Sequence, residues 1–381
     1  MCGNPEDELG QNHGGSRIFG MARQFGLLAL GRQLRLNNHG LLILCYHGVS
    51  RSDEHRWRPS LYVSPVAFRR RMEIIRRCGV QVVPLDSALK QICNGGFSSP
   101  SLALTFDDGW QDFHSVVWPI LRDCGFPATV YQTSFYSAYN RPVFDTAVSY
   151  LLWKGRRRSL RLGNLSGMSG TFELDSETST EKATDAVLAR TARLRLNAEE
   201  KDQALQQIAE MVGIDYQQFL TSRTLHLMNS SEIAEVSEDG ADVQLHTHRH
   251  DVPFTREELL EEIAINRAWV EAITGKPANH FCYPNGNHRP EVENWLRDAN
   301  ISSATTCDPG IVSEKTGKFR LPRLSDSSRV SEAQFEAWIS GIGLIASACR
   351  RVFLDRDPVA EEPDTLTENM RQSPSAAKSG I

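Results

Sequence analysis

The sequence predicts an α/β fold built on a parallel sheet or barrel, and two observations carry that expectation. From Leu41 onward, short apolar runs of strand length alternate with longer stretches in which apolar residues recur at helical spacing. A chain of 381 residues, 40% of them apolar and 23% charged, also has the composition of a globular protein and ample length for a large core. Repeated strand–helix alternation favours a parallel arrangement over an antiparallel sandwich. Strands are expected at 41–46, 81–84, 101–106, 128–132, 242–246, 280–283, 303–306 and 319–321. Helices are expected at 65–78, 85–93, 110–124, 230–238, 256–274 and 289–300. Within 256–274, Leu259, Leu260, Ile263 and Val270 define one face, and Glu257, Glu258, Glu261 and Glu262 the other.

Other regions depart from this rhythm. Residues 1–16 are polar and rich in Gly and Asn, and residues 355–381 combine six acids with Pro, Ser and Ala, so both ends read as disordered. Residues 17–36 carry four arginines and no acid, with apolar residues near helical spacing. They read as a basic amphipathic helix that either packs on the domain or lies on a membrane surface. From about 140 to 225 a basic, Gly/Ser-rich stretch precedes a long charged helical pattern at 179–212, the mark of a mainly helical insertion.

With 42 basic against 47 acidic residues, the net charge of -5 provides no global field to gather nucleic acid. No apolar stretch approaches the ~20 residues needed to cross a bilayer. Glu6, Asp7 and Glu8 stand where a secretory signal would be positive. A cytoplasmic protein is therefore expected, held at the inner membrane surface if residues 17–36 bind lipid. Eight cysteines without a CxxC pair read as reduced, packed thiols rather than a thiolate zinc site.

Two segments carry chemistry. Leu102-Ala103-Leu104-Thr105-Phe106-Asp107-Asp108-Gly109 is an apolar strand ending in adjacent carboxylates. Taken alone, these acids suit either a barrel-mouth site or the start of a helix. The second, Val243 to His250, again runs from an apolar strand into polar residues, with His246 and His250 four apart and His248 between them. Two imidazoles and one carboxylate make the three-ligand set that leaves a divalent metal an open position for water. Asp108 is the candidate carboxylate.

These residues resemble the first two motifs of the polysaccharide deacetylase superfamily, carbohydrate esterase family 4 or the chitooligosaccharide deacetylase homology domain. The matching stretches are TFDDG (105–109) and HTxxH (246–250), and the resemblance spans about 40–330, including CYHGV (45–49), FCYPNG (281–286) and FRLPRL (319–324). It implies a distorted (β/α) barrel of about seven strands over 40–354 with a mainly helical insertion. It further implies a divalent metal, zinc above others, on Asp108, His246 and His250, with Asp107 as general base and the Tyr283 amide facing the oxyanion. The acylated partner would be a glycan or glycan precursor carrying N-acetyl or O-acetyl groups.

The chain departs from the family at two places. No arginine precedes the Tyr283-Pro284 pair to orient the base, and Arg323 is the candidate replacement. No histidine follows His288 to serve as general acid, which turns attention to His47. That arrangement resembles the poly-N-acetylglucosamine deacetylases, whose N-terminal YH histidine takes the acid role. Trp110, His248 and Asn285 are candidates for substrate contact, and Trp57, Tyr136 and Tyr139 for stacking on sugar rings. Two other readings stay open: hydrolysis of a non-sugar amide or imide on the same barrel, and a barrel that binds glycan without turnover.

Overall fold

The computed structural model describes residues 40–341 except 95, 157–158 and 162–170. The ends expected at 1–16 and 355–381 and the basic helix expected at 17–36 lie outside the described residues. Among the described residues the strands are β1 (Leu41–Tyr46), β2 (Gly48–Val49), β3 (Tyr62–Val63), β4 (Gln81–Val82), β5 (Ser101–Phe106), β6 (Thr129–Gln132), β7 (Ser159–Arg161), β8 (Thr171–Glu173), β9 (Asp242–Leu245), β10 (His280–Cys282), β11 (Ser303–Thr305) and β12 (Leu324–Ser325).

The main sheet runs β11-β10-β9-β6-β5-β1-β12, with β4 beside the start of β5, and its pairs are parallel. Segment 319–325 closes it into a distorted barrel: Leu321 bridges Thr305 of β11, and Leu324 pairs with Leu44 of β1. A continuous strand was expected over 319–321, but only a single bridge forms there. The Arg320 N–H closes a turn onto the Gly317 carbonyl instead of joining the ladder, and Pro322, which follows Leu321, has no N–H to extend it, so pairing resumes at Leu324. The expected helix at 110–124 also divides, into a five-residue π turn, Phe113–Val117, and the helix Trp118–Cys124. Pro119 cannot donate to the carbonyl of Ser115, which relaxes the helical register at that point.

Both central strands, β1 and β5, are buried along their whole length, the pattern of parallel strands covered on two faces. Their side chains alternate between two apolar clusters. Leu41, Ile43 and Ala103 join Tyr131, Cys282 and Leu321 inside the barrel, where Leu85, Ala88 and Ile92 of the helix Leu85–Cys93 close one end. Leu42, Leu44, Leu102 and Leu104 face the outer helices, among them Pro65–Arg77 and Arg256–Thr274. The period of two then carries Cys45, Thr105 and Asp107 onto the interior face.

Between β6 and the helix Ser230–Glu238 that precedes β9, the chain forms the helices Phe135–Tyr139, Phe144–Lys154, Glu177–Leu194, Ala198–Val212 and Tyr216–Thr221 and the antiparallel pair β7–β8. Capping boxes at Ser176/Ser179 and Asn197/Glu200 start the two long helices, and Gly213 ends the second in a left-handed turn. A third apolar cluster holds this region together and reaches the barrel mouth through Trp57, Tyr62 and Trp110. No helix among the described residues is long and apolar enough to cross a membrane.

Candidate active site

Asp107 and Asp108 leave β5 in opposite directions. The strand alternation places Asp107 inward, 3% exposed, against Arg323, which is 1% exposed. The guanidinium grips both carboxylate oxygens, at 2.7 and 2.8 Å. Arg323 is itself fixed by donating to the carbonyl of Thr306 (2.9 Å) and the hydroxyl of Thr105 (3.2 Å). The thiols of Cys45 and Cys282 each donate to Asp107 Oδ2 at 3.5 Å. Burial alone would raise the Asp107 carboxyl, but the Arg323 charge and hydrogen bonds outweigh it and hold the group far below the usual carboxylate range. His47, on the link from β1 to β2, brings Nε2 to 4.0 Å from Asp107 Oδ2.

Asp108 takes a left-handed backbone conformation, φ 69°, which turns its carboxylate toward the pocket. The following Gly109 (φ 78°) is required by space as well: a Cβ there would lie 2.1 Å from Gln132 Oε1. Asp108 Oδ1 is 3.2 Å from His246 Nε2 and 3.1 Å from His250 Nε2, and Oδ2 accepts the indole N–H of Trp110 at 2.8 Å. Burial opposes the charged form of Asp108, yet His250 and His246 hold its carboxyl well below the usual range. Thr247 (φ 62°) and His250 (φ 61°) are also left-handed, so the turn after β9 is wound back to bring both imidazoles to one side. Non-glycine residues held this way cost on the order of 1–3 kcal/mol each, a strain that concentrates at functional sites.

His246 is oriented from behind. Its Nδ1 lies 2.9 Å from the carbonyl of Cys282, leaving Nε2 to face Asp108, and its backbone N–H donates to Asn266 Oδ1 at 3.0 Å. Asn266 also donates to the Gln132 carbonyl, tying the ends of β6 and β9 together. One donor atom from each of Asp108, His246 and His250 lies within 4.8 Å of the others, a set suited to a divalent cation. The trio Asp107, His246 and Cys282 meets the same distance test. A cation there would confront the Arg323 guanidinium, and both Asp107 oxygens are already taken.

These groups line a pocket of about 230 Å³ together with Arg58, Tyr62, Trp110, Tyr136, Tyr283 and Asn285. Not every expected residue contributes as anticipated. The Tyr283 amide, expected to face the oxyanion, donates instead to the Thr305 carbonyl at 3.2 Å and extends the β10–β11 ladder. Its hydroxyl donates to the Phe319 carbonyl, so this residue brings only its ring to the pocket wall. His248 lies outside the pocket lining, with Nδ1 2.9 Å from Ser134 Oγ and its ring against Phe135. Trp57 and Trp110 are 8% and 7% exposed, packed rather than open platforms. Asn285 is left-handed (φ 57°), and its Oδ1 is buried without a hydrogen-bond partner.

Four further residues escaped the sequence reading. Asn266 stands three residues after Ile263 and four before Val270, so its polar side chain on the apolar face was a usable signal. Glu262, expected on the solvent face, is 5% exposed and accepts from the backbone and side chain of Arg249. The thiols of Cys45 and Cys282 gave no local sign of their place beside Asp107. Cys45, Cys93, Cys124 and Cys282 carry free thiols.

Residues 196–304 match the family model described as polysaccharide deacetylase, a segment that holds His246, His250 and Asn285 but not Asp107 or Asp108. No curated protein sequence matches the chain. Among solved structures, the Streptococcus pyogenes deacetylase PplD, in complex with acetate, is similar at a TM-score of 0.50 and 15% identity, covering 77% of this chain and 94% of that one. IcaB from Ammonifex degensii gives 0.48 and 15%, covering 80% and 97%. A polysaccharide deacetylase from Bacillus cereus gives 0.48 and 16%, covering 79% and 69%. The first of these establishes a shared α/β fold, the distorted parallel barrel. The chain is thus similar to polysaccharide deacetylases in one sequence segment and to a deacetylase in the architecture of its barrel.

Proposed function

We propose that the chain is a metal-dependent deacetylase of the polysaccharide deacetylase superfamily, hydrolysing the acetyl group of an amino sugar within a glycan or glycan precursor. The observation that carries this is the convergence of Asp108, His246 and His250 donor atoms within 4.8 Å, one residue away from a carboxylate clamped by Arg323. A divalent cation held by these three, zinc above others, supplies Lewis-acid polarisation of the acetyl carbonyl and acidifies water enough for a carboxylate of low basicity to deprotonate it.

Asp107 is the general base. Arg323 keeps it ionised at neutral pH and fixes its direction, the role the family gives to an arginine that this chain lacks at residues 279–282. His47 protonates the departing nitrogen. An amine cannot leave as an anion, so a proton donor on this wall fits an N-acetyl better than an O-acetyl substrate. The position of His47 after β1 fits the subgroup with an N-terminal YH histidine. Asn285, with its unmet acceptor at the pocket wall, binds substrate polar groups. Trp110 orients Asp108 through its indole N–H and closes the pocket wall. Water adds to the acetyl carbon, the carbon–nitrogen bond breaks, and acetate and a free amine result.

The test is acetate release from a panel of acetylated glycans, with and without a chelator and with added zinc. Acetate that appears with metal, stops with chelator and returns with zinc supports the reading. No acetate from any glycan in the presence of zinc rejects it.

A further inference from the structure

The turn that carries Asp108 lies past the end of β5, with two left-handed residues, Asp108 and Gly109, in succession. Its backbone groups must find partners outside the sheet. On one side the Thr133 N–H donates to the Asp108 carbonyl at 3.3 Å. On the other, the Met228 N–H donates to the Gly109 carbonyl at 2.8 Å and the Gln111 N–H to the His226 carbonyl at 2.9 Å, around a bridge between Trp110 and Leu227. Residues 226–228 thus pair with the turn as a strand would. They lie between the helices Tyr216–Thr221 and Ser230–Glu238, where the insertion returns to the barrel.

This returning segment is held in a conformation that its side chains resist. Arg223 (φ 53°) and Leu225 (φ 56°) are both left-handed, a region in which bulky residues are strained. Surrounding contacts impose it. The Arg223 guanidinium donates to Asn140 Oδ1 at the end of the helix Phe135–Tyr139, to the Leu227 carbonyl at 2.9 Å and to Glu232 Oε2 at 2.8 Å. The Val143 N–H donates to the Leu225 carbonyl at 2.9 Å, tying the entry of the insertion to its exit. Two routes then run from Arg223 to the turn. Through Glu232, which is 9% exposed, its hold reaches Gln111, whose Nε2 donates to the other Glu232 oxygen at 3.1 Å. Through Leu227 it reaches Trp110, whose indole N–H holds Asp108 Oδ2.

We infer that Arg223 is a positioning residue for the metal-binding turn: by way of Leu227 and Glu232 it fixes the backbone of 108–111 and the direction of the Asp108 carboxylate, so that the insertion sets metal affinity. The effect on metal rests on the reading of Asp108 as a ligand, while the coupling of Arg223 to the turn stands on the hydrogen bonds alone.

The full chain is tested with two readouts. Amide hydrogen exchange on metal-free protein reports the coupling: Arg223→Met speeds exchange at the Gln111 and Met228 amides by roughly tenfold or more, with the β1 amides unchanged. Zinc affinity, measured by competition with a chromophoric chelator, reports the consequence. Arg223→Met weakens it by roughly tenfold, the lower end of what a group that orients a ligand from behind contributes. Arg223→Lys, which keeps the charge, recovers part of the loss. Ile208→Ala removes a fully buried side chain from the apolar cluster of the insertion without touching these bonds, and leaves zinc affinity at the wild-type level despite its lower stability. Unchanged exchange at Gln111 and Met228 in Arg223→Met overturns the inference, as does wild-type zinc affinity in that variant or an equal weakening in Ile208→Ala. Wild-type protein that binds no zinc, with exchange still faster in Arg223→Met, overturns the metal reading of Asp108 and spares the coupling.

Discussion

Two neighbouring carboxylates sit in opposite surroundings. Asp107, at the inner wall of the pocket, packs against two thiols and a guanidinium, where its charge is neutralised by a cation that belongs to the chain. Asp108 opens toward the pocket among two imidazoles and an indole, none of which carries a fixed positive charge. The difference separates the two roles. A permanent counter-ion keeps the first ionised and aimed, while the second is left able to share its charge with an exchangeable cation, as the proposed function requires.

The largest expected effect comes from exchanging these roles. Asp107→Asn is expected to lower acetate release about 10²–10⁴-fold while metal content, read by elemental analysis, stays at the wild-type level. Asp108→Asn is expected to lose both. Metal retained in the second variant and lost in the first would invert the assignment. Next in size is the clamp. Arg323→Met leaves a buried carboxylate without its partner and is expected to destabilise the fold by about 3–5 kcal/mol in denaturant unfolding. Adding Asp107→Asn to it should recover much of that loss, since the orphaned charge is gone. No recovery would mean that Arg323 acts through Thr306 and Thr105 rather than through Asp107.

A smaller effect is expected on the other side. Trp110→Phe keeps an aromatic side chain but removes the N–H that holds Asp108 Oδ2, and is expected to weaken metal affinity by about 10–100-fold, with a separate stability loss from the smaller ring in its apolar cluster, read by denaturant unfolding. Smallest is a control on an imidazole that meets neither carboxylate. Burial lowers His226 to about 4, and the contact with the Thr224 carbonyl offsets this only in part. The folded state then binds fewer protons than the unfolded state between about pH 6.5 and 4, so stability falls as pH drops through that window. His226→Gln should flatten that part of the stability profile; an unchanged slope would assign it to other groups.

Much of this was readable one segment at a time. Apolar runs and helical faces marked the barrel strands, and the strand ending in Asp107 and Asp108 marked both carboxylates, though not that they would face opposite ways. The convergence of Asp108 with His246 and His250 was legible because each group ends its own strand, and parallel strands end at the same mouth. What the sequence hid depends on contacts across the chain or on exceptions to periodicity. A turn from Gly317 to Arg320 took up the start of a run that looked like a strand, Glu262 is buried because Arg249 reaches it, and the Tyr283 amide was already claimed by β11. Arg323 was selected because the usual arginine is missing; its grip on Asp107 spans 216 residues, and no local pattern shows it.

That span has a consequence for biosynthesis. The segment that completes the barrel also delivers the guanidinium, so during translation Asp107 waits without its counter-charge until nearly the whole described chain has emerged. Any product truncated ahead of residue 323 lacks closure and clamp together, and has no route to the proposed site.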